Sequence, residues 1–325
     1  MTGGYVLLHD HLDGGLRPST LIELADLCGY LGLPSQDPDE LAHLLDQSNS
    51  GSLPRYLQAF EHTVAVMSSA EALRRVAREA VIDVACDAVI HAEFRFAPAL
   101  TTSHGLSIED TVEAVCDGLR SGGDESGITW GFIVVALRHH GDAETVVESS
   151  LAVRDPGVVG FDLAGPEAGF PPRLHERALR RATQGGLRLT IHAGEAAGDE
   201  GPAYMADAVA VGAERLGHGV EIIRDCVVED GRITDLGPVA SMISERQVTL
   251  EVCPTSNAAT GGIPLNRHPL PALYEAGFAV TLNTDNRLMS RTSMSREVAV
   301  ATDLLGLPPE AITAMSETAM RSAFL

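Results

Sequence analysis

Basic side chains are in short supply in this 325-residue chain. Lysine and arginine total 23 against 45 aspartates and glutamates, which leaves a formal net charge of −22 and a pI near 4.8. A phosphate backbone needs a basic surface, so this composition excludes nucleic acid as a partner. It excludes docking on anionic membranes for the same reason. Long apolar runs are missing too. The longest are interrupted by Asp, Glu or His, so none spans a bilayer. Residues 1–5 (MTGGY) offer neither a basic n-region nor an apolar h-region, so no secretory leader is expected and the location is read as cytoplasmic. The five cysteines, Cys28, Cys86, Cys116, Cys226 and Cys253, are odd in number and scattered. They form neither a zinc ribbon nor a C-x-x-C pair, and are read as reduced thiols. No glycine fingerprint follows the first strand, which argues against a dinucleotide-binding sheet. No repeat or low-complexity linker divides the chain, so residues 1–325 are read as one domain.

What is present is a full core, at 45% hydrophobic residues, and a rhythm. Eight short apolar runs recur: Val6–His11, Ala88–Phe96, Gly131–Arg138, Val158–Leu163, Leu187–His192, Glu214–His218, Val248–Cys253 and Phe278–Asp285. Each reads as a buried strand. Helical patterns lie between them, as in Glu71–Asp87, the stretch opened by Ser107-Ile108-Glu109-Asp110, Asp142–Val153, Pro172–Thr183, Tyr204–Val211, Leu236–Arg246 and Leu270–Ala276. A last helix is expected over Pro308–Phe324. Strands alternating with helices eight times predict a (β/α)₈ barrel. Residues 19–68 are an insertion after the first strand. It is expected to be helical over Thr20–Tyr30, Asp39–Leu45 and Leu53–Met67, and to serve as a lid.

In such a barrel the chemistry sits at the C-terminal ends of strands. His9, His11, Asp162, His192, Glu195, His218 and Asp285 all fall there. His9 and His11, two apart on a strand, point to one face and can reach one metal. Alone that pair is a weak signal. His192 ending the fifth strand and Asp285 ending the eighth complete a set of three imidazoles and one carboxylate, suited to zinc or another divalent first-row ion. Glu195, three residues past His192, is a candidate general acid if burial raises its pKa. His218, between two glycines, can approach a metal-activated water. Asn286, next to Asp285, offers a donor and an acceptor.

These residues sit in motifs that resemble the adenosine deaminases among the metal-dependent amidohydrolase barrels. The motifs are Leu8-His9-Asp10-His11-Leu12-Asp13-Gly14, Phe161-Asp162-Leu163-Ala164-Gly165, His192-Ala193-Gly194-Glu195, Leu216-Gly217-His218-Gly219, Cys253-Pro254-Thr255-Ser256-Asn257 and Asn283-Thr284-Asp285. The resemblance runs from Leu7 to Leu325. It implies one zinc ion per chain on His9, His11, His192 and Asp285, lowering the pKa of a water toward 7. It implies that His218 holds and helps deprotonate that water and that Glu195 gives a proton to purine N1. His11, Asp13, Gly165 and Asn286 would meet the substrate: Gly165 through its N–H at purine N3, Asp13 at the ribose 5′-hydroxyl. Adenosine, and 2′-deoxyadenosine with it, would yield inosine and ammonia. The alternative is adenine or a modified adenosine or other N6-amino purine nucleoside. Other metal-dependent barrel hydrolases are disfavoured by the purine motif and by the single-metal ligand set. Three departures from the family pattern stand out: Asn286 where a second Asp is common, Tyr5 where Lys is common, and Ala196–Pro202 after the presumed acid.

Overall fold

In the computed structural model, which describes residues 4–325, eight parallel strands form one sheet that curls on itself. They are β1 (Tyr5–His11), β2 (Val89–Phe96), β3 (Thr129–Leu137), β4 (Val158–Ala164), β5 (Arg188–Ala193), β6 (Arg215–His218), β9 (Thr249–Val252) and β10 (Val280–Leu282). The remaining two, β7 (Cys226–Glu229) and β8 (Arg232–Leu236), pair antiparallel in a separate hairpin. The expected (β/α)₈ barrel is therefore the observed architecture. Residues 1–3, on which part of the leader reading rests, lie outside the described residues.

Runs such as Phe132-Ile133-Val134-Val135-Ala136 form strands because they are buried on both faces, against barrel interior and helical ring alike. The ring closes where β1 meets the end of β10. There the His11 N–H donates to Asp285 O at 2.8 Å and the Asp285 N–H to His9 O at 2.9 Å. Residues 274 or more positions apart thus become neighbours at the mouth. Helices bridge successive strands. Ser69 caps Ala70–Cys86, and a reciprocal box of Ser107 and Asp110 caps Ile108–Ser126.

The insertion is helical at Pro18–Cys28 and Pro38–Leu44, close to expectation. The single helix expected over Leu53–Met67 is instead three pieces, with a 3₁₀ turn at Leu57–Ala59 between Leu53–Tyr56 and Phe60–Val66. The buried Tyr56 pins that turn to the barrel, its hydroxyl 2.7 Å from Ser290 Oγ. The hairpin was not expected, and Leu236 ends it rather than opening a helix; Gly237 precedes Pro238–Arg246. The last helix stops at Ser322, because Ala323 turns extended (φ −58°, ψ 144°) and carries Phe324 under the barrel.

Candidate active site

His9 and His11 leave β1 on one face, His192 lies on β5, and Asp285 follows β10. Nitrogen or oxygen atoms of all four lie within 4.8 Å of one another. His9 Nε2 and His11 Nε2 stand 3.3 and 3.4 Å from Asp285 Oδ1, and His11 Nε2 is 3.2 Å from His192 Nε2. His9 Nε2 is buried and has no hydrogen-bond partner among the described residues. Three imidazoles converging nitrogen-to-nitrogen on one carboxylate are poor partners for one another and good ligands for a divalent ion. The residues present fit such an ion. The chain contains no lysine, so no carboxylated lysine can bridge a second metal.

On two of the rings the nitrogen that faces away from this cluster lies against a carboxylate, hydrogen-bonded at His9 and at ion-pair distance without that alignment at His192. His9 Nδ1 is 2.8 Å from Glu251 Oε2, and His192 Nδ1 is 2.8 Å from Asp162 Oδ2. Arg95 joins the two carboxylates, 2.8 Å from each. All three are fully buried. Ser256 donates to Asp285 Oδ2 at 2.5 Å. Such partners fix ring orientation and tautomer. Burial pushes the Asp162 carboxyl up, but His192 and Arg95 together hold it well below the usual range. Of this outer layer the sequence reading had Asp162, as a member of the rim, and Ser256, inside a motif and without a role. Glu251 and Arg95 escaped it, although a charge inside an apolar strand was the available signal.

His218 ends β6 with φ 63°, and Asp285 has φ 59°. Left-handed conformations are strained for such residues and gather at functional sites. Asn257 Oδ1 accepts from the Cys253 N–H at 3.2 Å and lies 3.3 Å from His268 Nε2, which turns its NH₂ toward His218 Nδ1 at 2.9 Å. With Nδ1 accepting, neutral His218 carries its proton on Nε2, toward Glu195 Oε1 at 3.7 Å. Burial holds the ring well below its ordinary pKa, so it is neutral. Glu195 is also buried, and burial first, then Asp285 and Glu167, push its carboxyl well above the usual range. Burial and like charge thus favour its protonated form, the one that can donate.

The loop bearing Glu195 hangs from two other glutamates. Glu167 accepts from the N–H groups of Gly194, Glu195 and Ala196 at 2.6, 2.9 and 2.8 Å. Glu221 accepts from Ala197 and Gly198 at 3.0 and 2.8 Å. The departing segment Ala196–Pro202 is therefore anchored at its start and points no residue of its own into the cavity.

A cavity of about 510 Å³ opens over this floor. Its apolar wall includes Leu53, Tyr56, Phe60 and Val64 of the insertion with Leu100 and Leu137, and its polar groups include Asp13 and Asn286, with Gly165 also on the wall. Gly165 needs its glycine: at φ 94° a Cβ would also crowd His139 Nδ1 at 3.0 Å. Asp13 Oδ1 and Asn286 Oδ1 are buried without a partner among the described residues. No arginine is among the residues lining the cavity. Arg17, the one base beside Asp13 in sequence, is spent on Asp83 at 2.6 Å.

A convergent metal-ligand cluster and a buried carboxylic acid at the C-terminal mouth of a (β/α)₈ barrel define the class of metal-dependent barrel hydrolases. A sequence model described as "Adenosine deaminase" matches residues 5–325. The adenosine deaminase of Mycobacterium marinum is 46% identical over 98% of this chain and 90% of its own. Among solved structures, an adenine deaminase from Arthrobacter aurescens superposes with a TM-score of 0.88 at 27% identity, covering 100% of this chain and 94% of that one. Arabidopsis ADAL complexed with GMP gives 0.79 at 28%, covering 100% and 93%. The chain belongs to the adenosine deaminase family.

Proposed function

We propose that this protein hydrolyses adenosine, and 2′-deoxyadenosine with it, to inosine and ammonia, with one zinc ion held by His9, His11, His192 and Asp285. The observation that carries the reading is the meeting, in one apolar cavity, of that ligand cluster with Glu195, a carboxyl whose burial favours the protonated form. A bound zinc ion would supply Lewis acidity, making water a nucleophile at neutral pH. The protein residues do the rest. His218, with Nε2–H directed inward, donates to the attacking oxygen and holds it against purine C6. Sequence reasoning gave His218 both holding and deprotonation; the hydrogen-bond pattern favours holding. Glu195 gives its proton to N1, so charge does not collect on the ring. Asn286 faces N7 and the Gly165 N–H faces N3. The departing nitrogen takes the hydroxyl proton by way of the Glu195 carboxylate, C6 is left as a carbonyl, and Glu195 regains from solvent the proton equivalent that the water shed on becoming the nucleophile.

Asp13 Oδ1, buried without a partner, supports a nucleoside rather than a bare base, because a ribose 5′-hydroxyl can donate to it. The absence of arginine from the lining speaks against a 5′-phosphate. Purified protein should convert adenosine with loss of adenine absorbance and release of ammonia, and turn over adenine and adenosine monophosphate far more slowly. Chelation should abolish turnover and zinc should restore it. Full activity in metal-free protein would overturn this reading.

A further inference from the structure

The far end of the barrel holds a second cluster of buried charge that the reaction does not use. Phe324 lies there, 1% exposed, its ring 3.6 Å from the Arg215 guanidinium carbon and 4.4 Å from that of Arg188. The residues around it are tied down by the same segment. Ser322 O accepts from Arg215 Nη1 at 2.9 Å, Ala323 O from Arg188 Nη1 at 3.0 Å, and the Phe324 N–H donates to Glu93 Oε1 at 2.5 Å. Glu93 pairs in turn with Arg215 Nη2 at 2.5 Å.

Arg215 does not stop there. Its Nε forms an ion pair with Glu251 Oε1 at 2.7 Å, without the alignment of a hydrogen bond. Thr190 Oγ1 donates to the same oxygen at 2.9 Å. The other oxygen of Glu251 is 2.8 Å from His9 Nδ1. Two ionic steps thus join the ring of Phe324 to a metal-ligand imidazole, and every charged group along them is at most 1% exposed. In so dry a place the pairs are stiff and each depends on the others' geometry. Water admitted beside Arg215 would compete for its donors and loosen Glu251, the group that sets the His9 tautomer.

We propose that the Ser322–Phe324 segment is a positioning element for the metal centre: Phe324 seals Arg215, Arg215 holds Glu251, and Glu251 holds His9 for the ion. This rests on the metal reading above. The test is zinc affinity of metal-stripped protein, measured by chelator competition, in wild type, Phe324→Ala, Phe324→Leu and Phe324→Trp. The two smaller variants should bind zinc about 10-fold more weakly, the range for lost outer-layer support. Phe324→Trp should bind as wild type, because it keeps a ring face over the guanidinium. Phe324→Leu keeps apolar bulk and covers the case in which Phe324→Ala does not fold. Leu119→Ala, in the outer helix Ile108–Ser126, is the stability control and should leave affinity unchanged. Wild-type affinity in Phe324→Leu, or an equal loss in Leu119→Ala, would overturn the proposal. Wild-type protein that takes up no zinc would overturn the metal assignment and the proposal with it.

Discussion

Both ends of the barrel bury charge, and they treat it oppositely. At the N-terminal end Glu93, Arg215, Glu251 and Phe324 lock one another, each charge facing its counter-charge. At the C-terminal mouth three imidazoles face one another, Glu195 faces Asp285 and Glu167 with Arg138 only a lesser counter-charge, and Asp13 Oδ1 and Asn286 Oδ1 have no hydrogen-bond partner among the described residues. A protein could have paired the second set as it paired the first. Leaving it unpaired costs stability, and it keeps donors and acceptors for something that arrives later. That difference separates a buried network that holds the fold from one that does chemistry.

The sharpest way to break this comparison is Glu195→Gln. It removes the proton donor and should lower kcat by about 10²–10⁴-fold, read in the adenosine assay. The stability change should go the other way. Burial raises the Glu195 carboxyl well above its ordinary 4.5, so the folded state holds that proton more tightly than the unfolded state. Wild type therefore carries a penalty that grows as pH rises above the unfolded value. Metal-free Glu195→Gln should melt higher than wild type near about pH 8, with the gain shrinking toward about pH 4.5.

Glu93→Gln is the mirror experiment. Burial pushes the Glu93 carboxyl up, but Arg215 and then His91 pull it below its ordinary value overall. Its stabilisation is present above the unfolded pKa and is lost as pH falls through the folded one. Glu93→Gln should cost about 3 kcal/mol in urea unfolding at neutral pH, since it leaves the buried Arg215 with Glu251 as its one remaining counter-charge, and less in acid. With zinc in excess its kcat should stay within about 3-fold of wild type. A variant that lost rate and kept stability would erase the distinction between the two ends.

How much of this was legible in the sequence follows the same division. The eight strands announced themselves as short apolar runs, and the four proposed metal ligands stood at their ends because side-chain period and barrel closure are simple geometry. The hairpin was missed because Cys226-Val227-Val228-Glu229 and Arg232–Leu236 are short, carry three charges and are largely exposed; the Asp230-Gly231 turn between them was the readable sign. Glu251, Arg95 and Glu167 were missed for a deeper reason. Each matters through a partner 27 or more positions away, and only the folded barrel brings Glu251 to His9 or Glu167 to Gly194.

Asn286 tests the mouth more gently. Purine N7 is an acceptor, so the amide donates to it at any pH, whereas a carboxyl donates only while protonated. Asn286→Asp should give a kcat/KM that falls with rising pH along a limb that wild type does not have. The loss should reach about 5–10-fold, the worth of one hydrogen bond. An unchanged profile would sink the assignment.

Asp13 should have an effect no larger than that of Asn286, and it asks whether an unpaired group at the mouth is waiting for substrate. Burial, with smaller contributions from Asp285 and Asp10, pushes its carboxyl up to about 7. The ionised form accepts a hydroxyl hydrogen bond more strongly than the protonated form. KM for adenosine should therefore fall as pH rises through that value, while KM for 5′-deoxyadenosine, which has no hydroxyl to donate, should not. Asp13→Asn should flatten the first curve onto the second and raise the adenosine KM by about 5–10-fold above neutrality. Stability should move oppositely. A carboxyl raised from 3.8 to about 7 carries a penalty that grows across that window, so the amide variant should be the more stable at its upper end. Were the two substrates to keep their wild-type ratio in Asp13→Asn, Asp13 would be an unpaired group with no ligand, and the mouth would be less purposeful than its geometry suggests.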